Sequence, residues 1–175
     1  MQIQSLTLSN DTDQFEAMRW PPMGEVTRIT NPITIEHTLL RQYLLPGLFR
    51  LLASNRHHDL PQAVYELGTV VRNHTNSDRF AFLVAEQSGG FAAVRGRIQA
   101  IMRDLGSDTY TIEPLGGKMG PWLTGRSAKV LVNGIHVGCF GEMDPHIGEH
   151  YELKVPLSGA EFDIQELERA LPDPV

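Results

Sequence analysis

Cysteine is nearly absent from this sequence of 175 residues. Cys139 is the single cysteine, so an internal disulfide is excluded and nothing requires an oxidising compartment. No apolar run reaches the ~18 residues of a membrane-spanning helix. The first residues, MQIQSLTLSNDT, lack the basic stretch before an apolar one that is typical of a signal peptide. We therefore expect a cytoplasmic protein with no membrane contact.

Positive charge is also in short supply. The formal net charge is −6 and the pI is about 5.6, which argues against a domain that mainly grips nucleic-acid phosphates. Hydrophobic residues make up 41% of the chain, enough to bury a core at this length. We predict one domain over residues 1–175.

Hydrophobic periodicity predicts the elements of the first half. Alternation predicts strands over residues 3–8 and 25–30, with a short helix over 11–18 between them. A longer helix is predicted to begin near Gln42 or Tyr43 and to end with residues 55–58. Pro46 then lies in its first turn, where a missing N–H removes no helical bond. Its apolar face is wider than one contact requires, so we expect it to pack on two sides.

The second half contains hairpin signals separated by helices. Predicted strands are 63–72, 80–86, 109–113, 128–132, 135–141 and 159–164, and predicted helices are 91–105, 145–151 and 165–170. Asn133-Gly134 is the best short hairpin turn. A polar turn is predicted over 73–79, and a glycine-rich loop that holds Trp122 over 114–125. Hairpins with helices between non-adjacent strands indicate an α+β domain around an antiparallel sheet.

Spacing alone predicts no active site. The histidine pairs, His57 with His58 and His146 with His150, have no HExxH pattern and no third ligand at fixed spacing. The loop LGGKMG at 115–120 lacks the Gly-Lys-Ser/Thr of a phosphate-binding loop and no helix follows it. No GxSxG elbow is present. We expect no catalytic, cofactor-binding or metal-binding residues, and we expect Cys139 to be a buried small hydrophobe.

Several turn motifs follow one another in a distinctive order. They are Asn31-Pro32, Leu40-Arg41, Leu-Leu-Pro-Gly-Leu at 44–48, Asn55-Arg56 and Tyr-Glu-Leu-Gly at 65–68, and later LTGRSAKVLVNGIHVGCFGEMDP and AEFDIQELERAL. Together they resemble the C-terminal catalytic-like core of the phenylalanyl-tRNA synthetase β subunit, in its archaeal or eukaryotic style. Tyr43 and Thr124 depart from the family pattern. Because the family's β subunit is much longer, we expect this chain to be a fragment of a longer one.

The resemblance implies a class II aminoacyl-tRNA synthetase fold, an antiparallel sheet flanked by helices. It also implies a non-catalytic domain in phenylalanine–tRNA ligase, with the α subunit as partner and tRNA reached only through the α2β2 holoenzyme. ATP and Mg²⁺ are expected for the holoenzyme and none for this chain. A weak homodimer of the fragment is a further expectation. The implied subunit interface comprises Asn31, Pro32, Arg41, Leu45, Pro46, Phe49 and Arg56.

Two strands bear on whether the chain could bind ATP itself. A class II site needs an arginine on one strand and a glycine-rich strand elsewhere. This chain has Glu66 within Val-Tyr-Glu-Leu at 64–67, and Glu161 and Asp163 within Ser-Gly-Ala-Glu-Phe-Asp at 158–163. The first strand thus has an acid and no arginine, and Glu161 and Asp163 would repel a triphosphate and crowd its site. Two alternatives remain: a core with its own ATP or amino acid site, and a free-standing paralogue that binds another ligand.

Overall fold

The predicted hairpins build one antiparallel sheet in the computed structural model, which describes residues 1–117 and 120–171. The strands are β1 (Leu8–Ser9), β2 (Leu39–Leu40), β3 (Gln62–Arg72), β4 (Thr75–Ala85), β5 (Tyr110–Pro114), β6 (Trp122–Val132), β7 (Ile135–Met143) and β8 (Leu157–Asp163). The helices are α1 (Leu45–Ser54), α2 (Phe91–Asp104), α3 (Pro145–His150) and α4 (Ile164–Ala170). The six-stranded sheet has the order β3-β4-β8-β7-β6-β5, and β1 pairs separately with β2.

Two tight turns set the registers of the long hairpins. Asn73 and His74 have positive φ values of 49° and 60°, so a two-residue turn closes β3 and β4 with Arg72 opposite Thr75. Asn133 (φ 49°) and Gly134 (φ 81°) close β6 and β7 in the same way. The polar turn predicted over 73–79 is therefore wrong, because β4 begins well before Phe80.

Successive side chains of β4 enter two different cores. Phe82 and Val84 point to the side covered by α2 and α4, whereas Ala81 and Leu83 point to the side covered by α1. This alternation follows from the pleat of the strand. The sheet is thus buried on both faces, with α1 and the N-terminal residues on one face and α2 and α4 on the other.

The two strands predicted near the N-terminus are mostly wrong. In residues 3–8 only Leu8 is in a strand, and the neighbouring Gln2 forms an isolated bridge with Tyr65. In residues 25–30 only Arg28 forms a bridge, to Leu39. The chain leaves the edge of β3 after Ile3 because the N–H and the hydroxyl of Ser5 donate hydrogen bonds to the buried carboxylate of Glu66. The helix predicted over 11–18 is a π-helical turn, Thr12–Glu16.

Most other boundaries differ from the prediction by one or two residues, and the larger differences concern α1 and Trp122. Helix α1 begins at Leu45 rather than at Gln42 or Tyr43, and residues 55–58 lie beyond its end. Trp122 begins β6 instead of lying in a loop, and its ring packs edge-on to Trp20 at 6.1 Å between centroids. Lys118 and Met119 of the predicted loop lie outside the described residues. The predicted α+β class, an antiparallel sheet flanked by helices, is confirmed.

Candidate functional site

A buried carboxylate joins strand β8 to the start of helix α1. Glu161 is 2% exposed, and its two carboxylate oxygens accept hydrogen bonds from the backbone N–H groups of Leu44 (3.1 Å) and Leu45 (3.0 Å). The first N–H groups of a helix have no partner within the helix, and a negative charge there is favourable. Glu161 thus fixes the position at which the helix meets the sheet.

Two arginines neutralise the carboxylates of β8. Arg79 Nε lies 2.6 Å from Glu161 Oε1, and its Nη1 lies 3.3 Å from Asp163 Oδ2. Arg72 Nη1 lies 3.3 Å from the same Asp163 oxygen. Two guanidinium groups therefore meet two carboxylates, as burial of charge requires. We call Tyr43, Arg72, Arg79, Glu161 and Asp163 the Glu161 cluster.

The ring of Tyr43 lies against both arginines of this cluster. The guanidinium carbons of Arg72 and Arg79 lie 5.6 and 5.9 Å from its centroid, within range of a cation–π contact. Burial raises the pKa of Tyr43 to about 12. The phenol O–H donates to the carbonyl of Pro21 at 2.8 Å. Burial, followed by repulsion from Arg79, lowers the pKa of Arg72.

A second buried ion pair holds the segment that precedes α1. Arg41 Nη1 lies 2.9 Å from Glu66 Oε1, and the Ser5 hydroxyl donates to the other Glu66 oxygen at 2.6 Å. A Cβ at Gly68 would come within 2.6 Å of Arg41 Nη2, so a side chain there would displace the buried guanidinium. We call Ser5, Arg41, Glu66 and Gly68 the Glu66 cluster. It brings Leu-Arg at 40–41 and Glu-Leu-Gly at 66–68 together in space.

The seven residues predicted for a subunit interface divide into two groups. Asn31, Pro32 and Arg56 are exposed, and Arg56 pairs with Glu152 at 3.0 Å. The other four are buried within this domain, and Phe49 lies 5.1 Å from the Tyr151 ring. These four are Arg41, Leu45, Pro46 and Phe49. The interface stays a prediction, and only the first group can touch a partner directly in this conformation.

Helix α1 packs on more than one side, and the contacts are made within this domain. Leu45, Leu48 and Phe49 are fully buried, and Leu52 is 2% exposed. Residues from the N-terminal segment, the sheet and the region around α3 enclose them, including Ile3, Leu83 and Tyr151. The wide apolar face therefore serves the domain's own core, because that core surrounds the helix on more than one side.

Sequence reasoning missed the two arginines of the Glu161 cluster. A signal for them exists: Glu161 and Asp163 stand in an otherwise apolar, buried strand, and such carboxylates need cationic partners. The partners come from β4 and the end of β3, and β4 adjoins β8 in the sheet. The predicted strand 80–86 began after Arg79, which concealed the pairing of Arg79 with Asp163.

The remaining sequence candidates were histidines and the cysteine. Within residues 1–117 and 120–171, no group of three or more His, Cys, Asp or Glu side chains could hold a metal ion. His146 instead lies beside Asp144, with 2.9 Å between Nδ1 and Oδ1. Cys139 is half-buried rather than fully buried as predicted, and its partial burial raises the pKa of the thiol to about 11, which makes it unreactive. In the described part of the chain no helix is long and apolar enough to cross a membrane.

The fold has a counterpart of known structure. A pyrrolysyl tRNA synthetase from Desulfitobacterium hafniense superimposes with a TM-score of 0.77 at 14% identity, over 96% of this chain and 61% of that one. At this identity the likeness concerns the fold alone. The domain therefore has the class II aminoacyl-tRNA synthetase-like architecture that the motifs implied.

The sequence match is more specific. Residues 1–164 match the family described as the phenylalanyl tRNA synthetase beta chain CLM domain, and the chain belongs to that family. It is 33% identical over 177 residues to the phenylalanine–tRNA ligase beta subunit of Methanopyrus kandleri and 36% identical over 165 residues to that of Archaeoglobus fulgidus. These matches cover 97% and 93% of this chain, which spans 30% of the length of each relative.

Proposed function

We propose that this domain is a non-catalytic, interface-building part of a phenylalanine–tRNA ligase β subunit. In this proposal the α subunit activates phenylalanine with ATP and Mg²⁺ and charges tRNA(Phe), and this chain reaches tRNA only through the holoenzyme. The cytoplasm, where translation takes place, is the proposed location. The whole enzyme's activity belongs to the proposal because the chain spans 30% of its relatives.

The observation that carries the proposal is the engagement of Glu161. Its two oxygens hold two backbone amides of the α1 start and one guanidinium, at 2% exposure. A triphosphate on this face would need positive charge that is available to it. Here Arg72 and Arg79 are already paired with carboxylates. The face of the sheet toward α1 thus supports a role in holding structure rather than in binding nucleotide.

Co-expression with the α subunit of the same source tests the proposal. We expect the two chains to co-elute in size-exclusion chromatography, whereas separate elution at micromolar concentrations would contradict the interface role. The same preparations separate the catalytic alternatives. We expect no phenylalanine-dependent pyrophosphate exchange from this chain alone, and exchange by the isolated chain would show that it has its own active site.

A further inference from the structure

Two isoleucines are exposed at the tip of a hairpin-like loop. Residues 31–36 are all exposed. Among the described residues, Ile33 and Ile35 are the most exposed large hydrophobic residues, at 100% and 88%. We call residues 31–36 the isoleucine tip. It includes the exposed Asn31-Pro32 motif of the predicted interface.

The loop beneath the tip is held at several points. On one side the N–H of Ile29 donates to Thr38 O and that of Leu40 donates to Thr27 O, both at 2.9 Å. On the other side the N–H of Thr38 donates to Ser9 O at 2.8 Å. Asn10 Nδ2 donates to Glu36 O at 3.3 Å. The tip is therefore presented from a fixed base, and little order has to be gained when it binds.

The chemistry of the tip is that of an anchor. Single exposed hydrophobic residues are common, but here two branched aliphatic side chains stand two residues apart on one projection. Burying each contributes as much as the side chain of a core residue. Anchors of this kind fill pockets on a partner, while the polar residues around them form the rim.

The occupant we infer is the α subunit. A second copy of this chain is disfavoured because each copy carries a net charge of −6, and Glu36 lies within the tip itself. A projection needs a concave receptor, and the relatives are named as beta subunits, which implies a different partner chain. We propose that Ile33 and Ile35 insert into an apolar pocket of the α subunit. This inference rests on the proposed function.

The test compares three double variants for their binding to the α subunit. Ile33→Asp/Ile35→Asp is expected to weaken α-subunit binding at least about 100-fold, measured by calorimetry or interferometry. Ile33→Val/Ile35→Val should retain binding within about tenfold. The matched control is Leu67→Asp/Leu105→Asp, which adds the same charge at side chains that are 58% and 43% exposed elsewhere, and it should bind as the unaltered chain does.

The possible outcomes separate the two proposals. Equal binding by the unaltered chain and Ile33→Asp/Ile35→Asp, with unchanged thermal melts, would overturn this inference and leave the proposed function standing. If the unaltered chain fails to bind the α subunit, both are overturned. Loss of a homodimer in light scattering, with α-subunit binding intact, would show that the tip contacts a second copy instead. Selective loss of α-subunit binding by the aspartate variant alone would support the inference.

Discussion

The two faces of the six-stranded sheet are buried by different chemistry. Toward α2 and α4 the core is apolar, with Ile98, Met102 and Phe162 almost fully buried. Toward α1 the core also contains the Glu161 and Glu66 clusters. An apolar core tolerates changes that preserve volume, whereas a buried ion pair becomes strongly destabilising when one partner is removed. Specific geometry is therefore required on the α1 face and mainly correct volume on the other.

The largest expected effect is at Glu161. Glu161→Ala leaves Arg79 buried with its closest partner gone and leaves two amides of α1 unpaired, so we expect a loss of about 3–5 kcal/mol in the free energy of unfolding. Urea denaturation measures it. Glu168→Ala on the exposed side of α4 is the control and should change that free energy by less than about 0.5 kcal/mol. Similar losses in both variants would remove the contrast between the faces.

Two glycine-to-alanine substitutions sharpen the comparison, because one should destabilise the domain and the other should stabilise it. At Gly68 a Cβ would lie 2.6 Å from Arg41 Nη2 and 2.8 Å from Glu66 Oε1, so Gly68→Ala should destabilise by about 1–3 kcal/mol. At Gly96, within α2, no atom lies within 4 Å of the added Cβ. Gly96→Ala should stabilise by about 0.5–1 kcal/mol. Thermal melts of both variants decide, and a stabilised Gly68→Ala would contradict the close approach of Arg41.

A substitution by size alone tests the apolar face. Ile98 is fully buried under the α2 side, and Ile98→Val removes one methylene without changing polarity. We expect a loss of about 0.5–1.5 kcal/mol in urea denaturation. A loss as large as that of Glu161→Ala would mean that the apolar face depends on exact packing as strongly as the α1 face depends on charge.

The smallest expected effect depends on pH and lies at the start of α3. Burial alone would raise the pKa of Asp144. Hydrogen bonds from the side chain and backbone of His146 and from Arg19 outweigh burial and lower that pKa from 3.8 to about 2. A lowered folded-state pKa adds stability that is complete above pH 3.8 and is lost as pH falls toward 2. Asp144→Asn should therefore cost about 0.5–1 kcal/mol at pH 6 and little near pH 2. A difference that grows on acidification would contradict this.

Sequence patterns predicted most elements that depend on neighbouring residues. The helix predicted over 91–105 is Phe91–Asp104, and the Asn133-Gly134 turn closes its hairpin as expected. Alternation failed for residues 3–8 and 25–30, because it shows that a segment suits a strand and not that a partner strand is present. The turn after β3 was predicted to be longer than it is. Asn73 and His74 both take positive φ and close a two-residue turn without the glycine that usually signals one.

The sequence by itself determined the class of fold, the family and the carboxylates that distinguish β8. Local signals and the order of the motifs depend only on the amino-acid sequence, so they can be recognised before the structure is known. The tertiary structure alone decided what those carboxylates do. Glu161 meets Arg79 and the start of α1 only because β4, β8 and α1 converge from segments 82 and 116 residues away. It also decided that Leu45 and Phe49 are internal and Ile33 is external, since burial depends on how the whole chain packs.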